Sequence, residues 1–171
     1  MTDGEAVRSC RNGQPDAFQY LVHRYQQRAL GHARALTGND ADAADAAQEA
    51  FIDAFRTLAR FDLALEFYPW FYVLLRNRCF KQTSRRATRS ESAVLPERST
   101  FAHASPELGL DVRAALDRLD PADRELIILK HLDGWTYDEI AGRLEIPRGT
   151  VMSRLFTARR RLQTLMTGAE Q

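Results

Sequence analysis

Apolar positions along this chain recur at helical, not strand, spacing. Phe18, Leu21, Val22, Tyr25, Ala29, Ala33 and Leu36 follow one another at steps of three and four. They begin after Gln14-Pro15-Asp16, where proline suits a first helical turn, and stop at Gly38, which suits a helix end. A long amphipathic helix is predicted between these signals. Asn39 or Asp40 can cap the next helix, whose Ala43, Ala47, Phe51, Ala54, Phe55 and Leu58 form one apolar stripe. A connecting segment near Phe61 to Tyr68 leads to Pro69. Trp70, Phe71, Val73, Leu74 and Cys79 then predict a third helix, with Trp70 and Phe71 read as core because aromatics at helical spacing usually bury their area. These helices make a first domain over 10–86.

Residues 87–106 (ATRSESAVLPERSTFAHASP) have no sustained period and the Ser, Thr, Pro and charge content of a linker. Ser105-Pro106-Glu107 restarts helical spacing, with Leu108, Val112, Ala115, Leu116 and Leu119 facing inward. Asp120-Pro121 starts a further helix through Leu126, Ile127 and Leu129 up to Gly134. Thr136 and Glu139 have the spacing of a capping box, and the helix they open carries Ile140, Ala141 and Leu144 on one face. Pro147 prevents simple continuation, so the chain turns. A last helix follows, with Val151, Leu155, Ala158 and Leu162 inward. The second domain spans 107–166. The fold class is therefore all-α: two small helical domains joined by a flexible linker.

Two short helices with a tight turn between them form a helix-turn-helix, whose second helix presents its N-terminal residues to base edges in the DNA major groove. Arg148, Thr150, Ser153, Arg154, Thr157 and Arg160 are the candidate readers. The competing interpretation is a helical hairpin with a solvated arginine face.

Charge changes the picture through its distribution, because the formal net charge is only +1. From Asp40 to Asp53 the charged residues are all acidic, and from Arg76 to Arg89 all basic. Arg143 to Arg161 is a second basic stretch, broken only by Glu145. Lysine occurs only at 81 and 130. Nearly all positive charge is thus guanidinium, which pairs well with phosphate and base edges, although a GC-rich coding sequence produces the same bias. The acidic face of Asp42, Asp45, Gln48, Glu49 and Asp53 disfavours DNA phosphates, so a protein partner is the better assignment; the alternative is a solvated face. The basic helix with Arg76, Asn77, Arg78, Lys81, Arg85 and Arg86 can track a phosphate backbone. Cys10 and Cys79 lack the spacing of a disulfide framework or a metal site, and no cofactor or metal is expected. No apolar run reaches membrane-spanning length, so a cytoplasmic protein without membrane insertion is expected.

The stretch from Leu119-Asp120-Pro121 to Leu162, with Tyr137-Asp138-Glu139-Ile140-Ala141 and Gly149-Thr150-Val151-Met152-Ser153-Arg154-Leu155, resembles region 4 of bacterial RNA polymerase sigma factors of the extracytoplasmic-function (ECF) type. Asp42-Ala43-Ala44-Asp45-Ala46-Ala47-Gln48-Glu49-Ala50-Phe51, with Trp70 and Arg76-Asn77-Arg78, resembles their region 2. The resemblance implies a division of labour. Region 2 binds the clamp of core polymerase through Asp42, Asp45, Gln48, Glu49 and Asp53, and recognises and melts the minus-ten element through the basic helix. The loop near Asp62 to Phe67 captures a flipped base. Region 4 reads the minus-thirty-five element and meets the polymerase flap, and an anti-sigma factor is a further partner in this family. The chain departs from the family pattern at Ala44, where glutamate is usual, and at Glu145, where glycine is common. Met152 and Thr157 stand where basic residues are frequent, and the usual acid downstream of Asn77 is absent.

Two other interpretations compete. A helix-turn-helix regulator that does not join polymerase shares the C-terminal half but has no need of the acidic and basic helices. A helical hydrolase would use Asp42, Asp45 and Glu49 as metal ligands, since their spacing puts them on one face. No nucleophile with a partnering base accompanies them, and the protein is expected not to be an enzyme.

Overall fold

The computed structural model describes residues 1–90 and 108–167. Most of the expected linker lies outside the described residues. Among those described there are eight α-helices and no strand, in two compact units.

The first unit contains α1 (Asp3–Arg11), α2 (Phe18–Thr37), α3 (Asp40–Thr57) and α4 (Phe67–Ser90). Helix α1 opens with a capping box in which the Thr2 side chain accepts from the Glu5 amide and Glu5 accepts from the Thr2 amide. It was not anticipated, although Thr-x-x-Glu was there to be read. The other boundaries follow the predicted signals. Pro15 starts a short 3₁₀ turn before α2, Gly38 takes a left-handed conformation (φ 77°) to end α2, and the Asn39 side chain accepts from the Asp42 amide to cap α3. Helix α4 runs to Ser90, past the expected start of the linker at 87.

Small residues set the packing of this unit. Ala43, Ala46, Ala47, Ala50 and Ala54 form the buried face of α3, which brings its backbone close to α2 and α4. The space is filled from α4 by Phe67, Tyr68, Phe71, Tyr72, Leu75 and Cys79, all buried. Phe51 stacks on Phe71 with centroids 4.4 Å apart, and half-buried Trp70 packs on Phe61 at 4.9 Å. The core expectation is met by Phe71, whereas Trp70 is only half-buried. His32 is buried yet satisfied, its Nδ1 lying 2.6 Å from the Tyr68 hydroxyl. The Arg11 guanidinium donates to the carbonyls of Leu58 and Phe61, tying the end of α1 to the turn after α3.

The second unit contains α5 (Leu108–Asp117), α6 (Pro121–Ile127), α7 (Tyr137–Leu144) and α8 (Arg148–Thr167). Asp120 caps α6 by accepting from the Ala122 amide. Helix α6 loosens into a π turn at Ile128–Leu132, and Gly134 (φ 72°) leads away from it. Leu126, Leu129, Trp135, Ile140, Val151, Leu155 and Ala158 make the core. Arg124 is buried and acts as a staple. Its Nε donates to the Leu116 carbonyl at 2.7 Å, and its Nη2 to those of Asp117 and Leu119 at 2.8 and 3.1 Å. These carbonyls lie at and just beyond the end of α5, where intrahelical donors run out; that of Leu116 also accepts from the Leu119 amide at 3.1 Å.

Candidate nucleic-acid interface

Helices α7 and α8 carry the predicted helix-turn-helix. The Thr136–Glu139 capping box is present in both directions, with Thr136 N to Glu139 Oε2 at 2.7 Å and Glu139 N to Thr136 Oγ1 at 3.2 Å. The hydrogen bond from the Thr136 amide, chiefly, holds the Glu139 carboxyl below its ordinary range. Glu145 ends α7 in the left-handed region at φ 55°, and is the non-glycine residue with positive φ among the described residues. Pro147 follows and α8 starts at Arg148. The predicted inward residues Val151, Leu155 and Ala158 are buried, and Leu162 is half-buried.

The candidate readers fall into two groups. Ser153, Thr157 and Arg160 are exposed on α8, and Thr150 is half-buried at its start. The Arg160 guanidinium lies 6.0 Å from the Phe156 ring, and exposed Arg148 pairs with Asp138 of α7 at 3.1 Å. Arg154 instead turns back to α6, where its Nη2 lies 3.2 Å from Asp123 Oδ1. Arg159, not among the candidates, donates to His131 Nε2 at 3.0 Å. Burial, then the charges of Arg159 and Lys130, hold the His131 pKa below its usual value. Two large apolar side chains, Met152 and Phe156, are 47% and 61% exposed on α8.

In the first unit the acidic and basic sets share a groove. A cavity of about 350 Å³ lies between α3 and α4, lined by Asp45, Gln48 and Glu49 on one side and Arg78, Lys81 and Arg85 on the other. Arg78 spans it: its Nη2 donates to Asp53 Oδ1 at 2.6 Å, its Nε to Asp53 Oδ2, and its Nη1 lies 3.0 Å from Glu49. This bidentate contact holds the Asp53 carboxyl below its ordinary range and raises the Arg78 guanidinium. Asp42 accepts from the Asn39 amide side chain, as part of the α3 cap. Asp45, Gln48 and Glu49 are exposed. On α4, Asn77, Lys81 and Arg85 are exposed at four-residue spacing, and Arg76 lies over the Phe80 ring at 4.5 Å. The Arg86 side chain lies outside the described residues. Among the described residues no three His, Cys, Asp or Glu side chains come together as a group that could hold a metal ion.

Sequence reasoning missed one surface. On the other side of α3, an apolar groove of about 570 Å³ runs along α2, lined by Phe18, Val22, Leu30, Ala47, Ile52 and Phe55 among others. Phe55 and Ile52 are 45% and 38% exposed, whereas the helical pattern placed Phe55 inward. The excess of apolar positions on α3, more than a single stripe needs, was the available signal.

A unit with a helix-turn-helix and a unit whose acid-bearing helix packs beside a basic one define a helical DNA-binding transcription protein. Residues 21–89 match the family model Sigma-70 region 2, and residues 109–162 match Sigma-70, region 4. The chain is similar to the RNA polymerase sigma-H factor of Pseudomonas aeruginosa, at 33% identity over 92% of this chain and 90% of that protein. It is similar also to the ECF RNA polymerase sigma-E factor of Escherichia coli, at 32% identity over 93% of this chain and 91% of that protein. Among solved structures it is similar to the sigma factor RpoE, seen in complex with the anti-sigma factor NepR from Bartonella quintana. The TM-score is 0.78 at 26% identity, covering 90% of this chain and 98% of that one. The chain belongs to the bacterial RNA polymerase sigma factors of ECF type, which direct transcription initiation.

Proposed function

We propose that residues 10–86, with α1 packed on them, dock on core polymerase and open the minus-ten element, and that residues 107–166 read the minus-thirty-five element. The polymerase surface combines the exposed Asp45, Gln48 and Glu49 with the apolar groove around Ile52 and Phe55. Buried apolar area supplies affinity there, and the acids supply register and selectivity. Asp42 and Asp53 support this surface from within the fold, since one caps α3 and the other binds Arg78. The DNA-facing strip of α4 is Asn77, Lys81 and Arg85, with Arg76 beside it; Arg78 is directed at α3 instead. In the second unit Arg148, Ser153, Thr157 and Arg160 face DNA, while Arg154 is held by Asp123.

The observation that carries this reading is the groove where the acids of α3 meet the cations of α4. An acidic face suited to a protein and a basic strip suited to DNA lie side by side on α3 and α4, which supports a factor that couples polymerase to melted DNA. A regulator that only occupies an operator has no use for this arrangement. The protein acts by binding, with no catalytic step of its own, in the cytoplasm where core polymerase works. An anti-sigma factor, of the kind seen on the RpoE neighbour, would compete for the α3 surface. Charge reversal tests the assignment. Asp45→Lys with Glu49→Lys is expected to reduce binding to core polymerase at least tenfold by fluorescence anisotropy, with unchanged helicity. Unaltered core binding by this variant and by Phe55→Ser would overturn it.

A further inference from the structure

We infer that the upstream DNA element is read largely through thymine methyl groups, by Met152 and Phe156 on the outward face of α8. The inference rests on the helix-turn-helix reading above and narrows it to one base chemistry.

Met152 and Phe156 are four residues apart and therefore share one face of the helix. They are exposed, on the side away from the buried stripe of Val151, Leu155 and Ala158. Two of the nearby guanidinium groups are committed elsewhere, and that of Arg160 lies 6.0 Å from the Phe156 ring at the C-terminal end of the face. Arg154 is turned to Asp123, and Arg159 to His131 and the Tyr137 hydroxyl. The neighbouring hydroxyls donate inside the helix, Ser153 to the Thr150 carbonyl at 3.1 Å and Thr157 to the Ser153 carbonyl at 3.2 Å. The face at 152, 153, 156 and 157 thus offers two large apolar groups, the Thr157 methyl and hydroxyl lone pairs, with no donor fork.

Base chemistry then selects among the alternatives. Guanine in the major groove calls for the paired donors of Arg or Lys, and adenine for the donor and acceptor of Asn or Gln. None of these residue types occupies positions 152, 153, 156 or 157. Thymine is distinguished by its 5-methyl group, which is read by apolar contact. Arg148, at the N-terminal edge of the face, pairs with Asp138 only through a solvent-exposed bridge, which a guanine or phosphate at the margin of the element can displace. Arg160, beyond Phe156, is placed for the backbone.

The test uses holoenzyme assembled from core polymerase and the full chain, with templates selected from a library randomised across the upstream element. The expected result is an element with thymines at its centre, on either strand. Replacing such a thymine with deoxyuridine removes only the methyl group, and should reduce occupancy about fourfold per position. Phe156→Ala and Met152→Ala holoenzymes should bind the thymine and deoxyuridine templates equally at the position each side chain reads. Wild-type holoenzyme indifferent to deoxyuridine, while Arg148→Ala or Phe156→Ala still weakens use of the element, overturns the inference and leaves the helix-turn-helix reading standing. An element of guanines without central thymines does the same. If no α8 variant changes dependence on the element, the helix-turn-helix reading falls as well.

Discussion

Arg78 is the residue whose role is most altered by its neighbours. A guanidinium on a basic helix is an obvious phosphate ligand, but three of its nitrogens face Asp53 and Glu49 on α3. Both Arg78 and Asp53 are mostly buried, with side-chain exposures of 24% and 22%, so the pair is screened less than a surface bridge. Arg78→Ala is expected to lower stability by about 1–2 kcal/mol in urea unfolding at pH 7. The pH dependence has a defined sign. Asp53 has a folded pKa below its ordinary value, so its contribution is complete above the ordinary carboxylate range and is lost as pH falls through that lowered pKa. The gap in urea midpoint between wild type and Asp53→Asn should hold at neutral pH and close only below about pH 4. A gap that closes near neutrality would contradict this assignment. Glu145 allows a second test at this scale. Its positive φ costs a side chain what it does not cost glycine, so Glu145→Gly should raise stability by about 0.5–1 kcal/mol, read as a higher thermal midpoint.

At the scale of elements, local signals located the helices and tertiary contacts decided what their surfaces do. Pro15, Gly38, Asn39, Asp120 and the Thr136–Glu139 box all act where the sequence put them, because a cap or a stop depends on residues a few positions apart. The same logic would have found α1 from Thr2 and Glu5. Partners distant in sequence were not legible. Nothing local indicates that Arg154 reaches Asp123, that Arg78 reaches Asp53, or that Phe55 stays exposed beside α2. Arg124 is the sharpest case: it sits in a helical segment like any surface arginine, yet it is buried and holds carbonyls of Leu116, Asp117 and Leu119. Its burial lowers its pKa, with Asp117 and Asp120 opposing that shift. Arg124→Ala removes its hydrogen bonds to those carbonyls, of which that of Leu116 keeps the Leu119 amide, and should cost about 3 kcal/mol. Hydrogen exchange should then show lost amide protection across α5 to α8, while α2 to α4 keep theirs.

At the scale of the whole molecule, neither unit explains the other's chemistry. A single helix-turn-helix unit makes only a weak contact with duplex DNA, and the acid-bearing α3 and basic α4 make sense only when a protein partner and DNA are engaged together. Joining the two by a linker turns two weak contacts into one selective contact once polymerase holds both, an effect of local concentration. The free chain should therefore bind promoter duplex weakly. The two-domain, all-helical organisation was legible because hydrophobic period and charge segregation survive in any one sequence. The division of labour among individual arginines was not, because it depends on which carboxylates the fold brings to them. The most direct measurement of the central claim is run-off transcription from genomic fragments, using sigma-free core polymerase with and without this protein, followed by mapping of the start sites. The account predicts new starts that share an upstream motif and vanish when Asp45 and Glu49 are reversed in charge. No new starts, together with specific duplex binding by the free chain and no association with core polymerase, would contradict it.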